Sequence, residues 1–321
     1  MTADNKFQFL LEKIYRNKGV DFSLYREGTL RRRIDSRLRT TGCVDYLEYV
    51  SYLNRNPEEY DRLIKAVTIN VTEFFRNPET FRAIQQKVLP EIIKQKQEHS
   101  VIGQLQGGVD AVRQNRGLPF SRTAATTETL SPIRLYRIPP VTEGLQHSKK
   151  TIRAWCAGAS YGEEAYSVAI LFLQVLQKKN ADYDVKILGT DIDPDCIVKA
   201  KIGLYEPSHL KAIGKHILDR YFSREGKNYR VNDAVRQLTE FKPHNMLSDK
   251  PFDKLDLILC RNVIIYFTKP LQTYVYNLFA RCLKPGGFLV LGKVESLWGC
   301  SLGLFETVDN KERIYRKVNS N

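Results

Sequence analysis

No stretch of this 321-residue chain approaches 18 consecutive apolar residues, so a membrane-spanning helix is not expected. The opening residues, MTADNKFQFLLEKIYRNKG, have no basic segment ahead of an apolar core, and a secretory signal peptide is likewise not expected. The six cysteines (Cys43, Cys156, Cys196, Cys260, Cys282 and Cys300) form no CxxC pair and keep no regular spacing. Several lie inside apolar runs, the habit of reduced thiols. The five histidines fall at no metal-ligand spacing, so no metal site is expected. The GxGxxG dinucleotide fingerprint is missing too. Together these absences point to a soluble, reduced, cytoplasmic protein.

A chain this long accommodates two domains, and 42% hydrophobic residues suffice for a real core. The net charge of +14 raises the question of a nucleic-acid partner, but the excess is spread out: +4 over residues 1–94, +4 over 95–150 and +6 over the remainder. One concentration stands apart, LRRRIDSRLR, with Arg31, Arg32, Arg33, Arg37 and Arg39. On a helix Arg33 and Arg37 share a face. A solvated helix face is the plain reading of such a run; a docking surface for an acidic partner is the functional one.

Residues 5–94 read as helical: Phe7, Leu10, Leu11 and Ile14 keep a helical period, as do Leu47, Val50 and Leu53. Asn77-Pro78 opens a further helix with proline at its first position. Residues 95–150 are rich in Gly, Gln, Thr, Ser and Pro, keep no period, and read as a linker or insertion. From 151 onward strands and helices alternate, which implies a parallel sheet covered on both faces. The expected strands are TIRAWCA, YDVKILGTD, QLTEFKPHN, FDKLDLILC and GGFLVLG, with helices over Gly162–Gln177, PDCIVKAKIG and Lys269–Cys282. Asp309-Asn310-Lys311 joins a closing antiparallel hairpin. A stretch with KNYRV between turn signals reads as a small antiparallel β subdomain, at about 205–240.

Ligands of open parallel sheets bind at the carboxyl ends of the strands. Four such ends here carry conspicuous polar residues. CAGASYGEEAYS brings Glu163 and Glu164, which repel a pyrophosphate and suit a ligand with a positive charge and hydroxyls. GTDIDP ends a strand on Asp191, where an acid commonly binds ribose, although an Asp before a helix is more often an N-cap. PHNML brings Asn245. LDLILCRNVIIYF interrupts two apolar stretches with Arg261 and Asn262, polar groups that need partners if buried.

TINVTEFFRNPETF, IRAWCAGASYGEEAYSVAI, GTDIDPDCIVKAKIGLY, LDLILCRNVIIYF and LKPGGFLVLGKVES closely resemble the chemotaxis protein methyltransferases of the CheR type, in order from about residue 5 to residue 300. The resemblance implies an α/β fold: a Rossmann-like class I methyltransferase domain (151–321) carrying the inserted β subdomain. A small all-α N-terminal domain (1–94), for substrate docking and covering the cofactor, precedes it. It implies S-adenosylmethionine as methyl donor, S-adenosylhomocysteine as product, no metal, and glutamate side chains of chemoreceptor cytoplasmic helices as methyl acceptors for sensory adaptation. The cofactor contacts it implies are Asn70, Thr72, Arg76, Glu163, Asp191, Asn245, Met246, Asn262 and Val263. Arg76, as guide for the substrate glutamate, and Tyr266, beside the reacting carboxylate, are implied in catalysis.

Arg31, Arg32, Arg33, Arg37 and Arg39 would dock the acidic receptor coiled coil, and the β subdomain would receive a receptor tail by strand addition. A monomer that neither binds nucleic acid nor inserts into membrane is expected. Arg261 is expected to brace neighbouring loops and Asn262 to touch the cofactor. The chain departs from the family pattern at Tyr161, bulkier than the usual threonine, and at Lys293, where histidine is common. A methyltransferase acting on nucleic acid or a small molecule is the alternative. Against it, the position after the fourth strand reads Cys260-Arg261-Asn262-Val263 in place of an Asn/Asp-Pro-Pro-aromatic turn. A cofactor-binding but weakly active regulatory homologue is the third reading.

Overall fold

The computed structural model describes residues 2–68, 72–98 and 150–318. The chain divides into two compact units, Met1–Ile92 with Thr151–Asn321, and Ile93–Lys150. The linker expected over 95–150 lies almost wholly outside the described residues.

The N-terminal helices are α1 (Ala3–Lys18), α2 (Glu27–Thr41), α3 (Tyr46–Arg55) and α4 (Glu58–Val67). The predicted period of α1 is its buried stripe, Phe7, Leu10, Leu11 and Ile14. The Thr2 hydroxyl caps its start by accepting from Asn5 N, and Gly19 ends it at φ +69°, a left-handed turn that glycine adopts without strain. Asp45 caps α3 by accepting from the Leu47 and Glu48 amides. Together these helices enclose one core, with Tyr49, Leu53 and Leu63 fully buried at its centre. Helix α5 (Pro78–Ala83) begins on the expected proline and passes into a π-turn over Ile84–Val88.

The main sheet comprises β1 (Thr151–Ala157), β2 (Asp184–Asp191), β6 (Thr239–Pro243), β7 (Leu255–Cys260), β8 (Leu283–Leu291), β9 (Phe305–Asp309) and β10 (Ile314–Lys317). Its order is β6-β2-β1-β7-β8-β10-β9. The first five are parallel, and the closing hairpin adds two antiparallel strands at the edge. A second sheet, β3 (Leu204–Tyr205), β5 (Asn228–Val231) and β4 (Phe222–Glu225) in that order, is the small antiparallel insertion. Helices α6 (Glu163–Lys179), α7 (Pro194–Ile202) and α10 (Lys269–Cys282) connect the parallel strands. Short helices α8 (Lys215–Tyr221) and α9 (Asp233–Arg236) flank the insertion.

Strand β8 starts at Leu283, earlier than GGFLVLG suggests, because Leu283 pairs with Leu255 before an irregularity brings Phe288 opposite Leu257. All six residues of β7 are buried, Asp256 included. Its carboxylate accepts from the Arg153 amide at 2.9 Å and meets Lys284 at 3.0 Å, which satisfies the group inside the sheet. Trp155, in the middle of β1, is fully buried and donates to Thr190 Oγ1 on β2. Among the described residues no helix is long and apolar enough to cross a membrane.

Candidate functional site

A cavity of about 410 Å³ opens where the carboxyl ends of β1, β2 and β7 meet the N-terminal helices. Its size falls in the range of small-molecule pockets, about 300–1,000 Å³. Tyr25 lines it, in a segment tied to the 266–268 stretch. The Arg26 amide donates to Tyr266 O at 2.8 Å, the Thr268 amide donates to Leu24 O, and the Tyr25 ring meets Phe267 edge-on.

The polar interruption after β7 is the centre of the arrangement. The Arg261 guanidinium, its side chain 2% exposed, faces Glu164 at 3.2 Å. It also donates to Arg76 O at 2.8 Å and to Asn77 Oδ1 at 2.7 Å. One arginine thus ties the start of α6 to the segment before α5, the bracing role expected of it. Asn262 follows with φ +61°, a left-handed conformation that turns the chain sharply and places Asn262 and Val263 in the cavity wall. Phe75 and Asn77, on either side of Arg76, are left-handed as well. Such conformations recur where a site must be held in one geometry.

Opposite lies the turn after β1. Gly158 has φ +76°, and a Cβ there would come within 2.5 Å of Val263 Cγ2, so only glycine allows this approach. Asp191 accepts from the Ser160 amide at 2.9 Å and the Asp193 amide at 3.0 Å. Asp193, not Asp191, caps α7. Burial pushes the Asp191 carboxyl above its ordinary range, and the two amides oppose that shift.

Thr72, Arg76, Asp191, Asn245, Met246, Asn262, Val263 and Tyr266 all line the cavity; Asn70 lies outside the described residues. Glu163, expected at the cofactor, is not among the residues that line the cavity, whereas Glu164 is. Glu163 is fully buried and its Oε1 stands 2.7 Å from His209 Nδ1, joining α6 to the insertion. Burial raises the Glu164 carboxyl, and Arg261 works against the rise. Tyr161 does not line the cavity either; its ring carries the Lys199 ammonium at 4.8 Å. Lys293 pairs with Glu312 at 3.4 Å, and Glu312 accepts from the Thr80 hydroxyl, anchoring α5 on the closing hairpin.

The five arginines of α2, expected to dock an acidic helix, do not share one exposed face. Arg33 is 9% exposed, donates to the Ala66 and Val67 carbonyls, and lies over the Tyr266 ring at 4.9 Å. Arg37 holds the buried Glu59 carboxylate with two bonds of 2.8 Å. Arg31 pairs with Asp4 and Glu27 and stacks on Phe7. Only Arg32 and Arg39 of the five are fully exposed.

Sequence reasoning missed Tyr25, Glu73, Ser160 and His244 as lining residues, and named Glu164 only together with Glu163. Tyr25 lies in a loop with no period to mark it. Ser160 and Glu73 sat inside quoted motifs, so the signal was present but the choice of residue was not. His244 packs on Trp155 and Phe252.

The residues present fit a nucleoside ligand carrying a cation. Ser160 Oγ, His244 Nδ1 and Arg261 Nε are buried without a hydrogen-bond partner, and all three belong to lining residues. Buried polar atoms of this kind call for one. The acids Glu73, Glu164 and Asp191 line the same space as Arg76 and Arg261. Among the described residues no group of three or more His, Cys, Asp or Glu side chains is arranged to hold a metal.

Residues 122–314 match the CheR methyltransferase, SAM binding domain, and residues 5–68 match the CheR methyltransferase, all-alpha domain. The chemotaxis protein methyltransferase of Listeria monocytogenes is 26% identical over 294 residues, 92% of this chain and 91% of that protein. The Salmonella typhimurium protein of the same name is 28% identical over 306 residues, 92% of this chain and 84% of that one. An uncharacterized 104.1 kDa protein of Rhodobacter capsulatus is 28% identical over 87% of this chain, which spans only 24% of its length. The chain belongs to the CheR methyltransferase family and carries its S-adenosylmethionine-binding domain.

Proposed function

We propose that this chain methylates glutamate side chains of methyl-accepting chemotaxis receptors, forming the methyl esters used in sensory adaptation. The observation that carries the reading is the convergence on one cavity of Thr72, Arg76, Asp191, Asn245, Asn262 and Tyr266, drawn from four separate segments. Bound S-adenosylmethionine supplies an electrophilic methyl group on a sulfonium. Thr72, Arg76, Asp191, Asn245, Met246, Asn262 and Val263 would hold it, and Asn70 joins them by the family resemblance.

A glutamate carboxylate, with an ordinary pKa of about 4.3, is ionised at neutral pH and needs no general base. Arg76 orients it from the cavity wall, and the Tyr266 hydroxyl stands beside it. Attack by a carboxylate on a sulfonium cancels both charges, so exclusion of water favours the step and a fully neutralising clamp opposes it. Positioning is the main contribution, worth up to about 7–11 kcal/mol when both reactants are held in line. The exposed Arg32 and Arg39 meet the acidic receptor helix, and the β4 edge of the small sheet accepts a receptor tail. We place the chain in the cytoplasm as a monomer, with a helical docking domain over 1–94, a linker over 95–150 and the catalytic domain over 151–321.

Labelled S-adenosylmethionine incubated with the chain and receptor-containing membranes tests this. Label released as methanol by mild alkali is expected; label stable to base contradicts a glutamate ester. Label on nucleic acid contradicts the receptor as substrate.

A further inference from the structure

Glu295 lies just beyond β8, is 4% exposed, and belongs to no role assigned above. Its Oε2 accepts from the Asn262 amide at 3.0 Å and the Gly292 amide at 2.6 Å, and its Oε1 accepts from the Ile265 amide at 3.2 Å. Each of these partners is a donor, so the geometry suits an ionised carboxylate, which only accepts. Gly292 makes the approach possible: a Cβ there would fall 2.7 Å from Glu295 Oε2 and 2.9 Å from Asn262 N.

Two of the three amides belong to the loop that forms the cavity wall. Asn262 holds its left-handed conformation under this clamp, and Val263, Ile265 and Tyr266 follow directly. The clamp also has a charge. Glu164 is matched by Arg261, whereas the partners of Glu295 are backbone dipoles. Burial pushes the Glu295 carboxyl above its ordinary range, and the Gly292, Asn262 and Ile265 amides oppose that shift by holding the ionised form. In a buried, low-dielectric setting such a charge acts across several ångströms.

We propose that Glu295 is a positioning residue of the cofactor site that fixes the Asn262–Tyr266 wall and biases the cavity toward a cationic ligand, the sulfonium cofactor, over its neutral thioether product. The inference rests on the assignment of this cavity to S-adenosylmethionine. Such a bias aids turnover, because methyl transfer removes the positive charge and with it one reason for the product to stay.

The test is calorimetric titration of the full chain, wild type, Glu295→Gln and Glu295→Asp, with S-adenosylmethionine, S-adenosylhomocysteine and the cationic amine analogue sinefungin. Glu295→Gln keeps the size and loses the charge; it also sets one amide donor against a backbone donor, a cost that all three ligands share. It is expected to weaken both cationic ligands about tenfold more than S-adenosylhomocysteine. Glu295→Asp keeps the charge but withdraws it, and its effect on the ratio should be in the same direction and smaller. Equal weakening of all three ligands by Glu295→Gln, or no change, overturns the proposal. If Glu295→Gln does not fold, Glu295→Asp decides, and an unchanged ratio overturns it. Failure of the wild type to bind either natural ligand sinks the cofactor assignment itself, a distinct result.

Discussion

Two regions of this molecule depend on arginine, one on many and one on a single residue, and they use it differently. Helix α2 carries five within nine residues, yet three of them are already engaged by the protein's own groups: Arg31 at the surface on Asp4 and Glu27, Arg33 on two carbonyls and the Tyr266 ring, Arg37 on the buried Glu59. After β7 a single arginine, Arg261, joins Glu164, Arg76 and Asn77 in one buried junction beside the cavity. Density of charge along the chain therefore says little about where charge is available. The partner each guanidinium finds decides that, whether a backbone carbonyl, an amide oxygen or a carboxylate.

The contrast is sharpened by removing the arginines one at a time. Arg261→Met should have the largest effect, about 3–5 kcal/mol lost in denaturant unfolding, because Glu164 is left buried and unpaired. Arg261→Lys should recover only part, since one ammonium cannot reach three acceptors in fixed directions. Arg37→Ala should cost less, about 2 kcal/mol, because the Tyr49 hydroxyl still donates to Glu59 at 2.8 Å. Arg33→Ala should cost about 1–2 kcal/mol and lower methyl transfer more than cofactor affinity, because Tyr266 loses its cover. The double change Arg32→Ala with Arg39→Ala should leave the melting temperature and cofactor binding unchanged while raising the KM for receptor. An unfolding shift as large as that of Arg37→Ala would erase the distinction between the inner and outer faces of α2.

A titratable cation gives the smallest effect. The hydrogen bond to Glu163 raises the His209 pKa above its ordinary 6.5, against the pull of burial. A raised folded value means the contact stabilises fully below 6.5 and fades as pH rises through the folded pKa. The melting-temperature gap between wild type and His209→Gln should accordingly be widest in mild acid and shrink toward alkaline pH. A gap that widens with pH would contradict the pairing.

The sheet was legible because its strands are short apolar runs ended by turn residues, and β1 and α10 lie where TIRAWCA and Lys269–Cys282 place them. The cavity was legible as a set of strand ends, not as a set of side chains. Glu163 and Glu164 show why: neighbours on a helix point about 100° apart, and which one faces the cavity depends on how the Gly158–Gly162 turn sets the helix rotation. The burial of Arg33 had a signal that the reading passed over. Leu30, Ile34 and Leu38 form the apolar stripe of α2, and Arg33 and Arg37 sit on its flank at helical spacing. Tyr25 had none, since its place depends on the pairing of residues 24–26 with 266–268, a contact across the whole chain.

The measurement that bears most directly on the cavity is titration of S-adenosylhomocysteine into wild type, Asp191→Asn and the Arg32→Ala, Arg39→Ala chain. One site per wild-type chain is predicted, with affinity reduced at least about tenfold in Asp191→Asn and unchanged in the arginine pair. Undiminished binding by Asp191→Asn would contradict the placement of the cofactor at the strand ends.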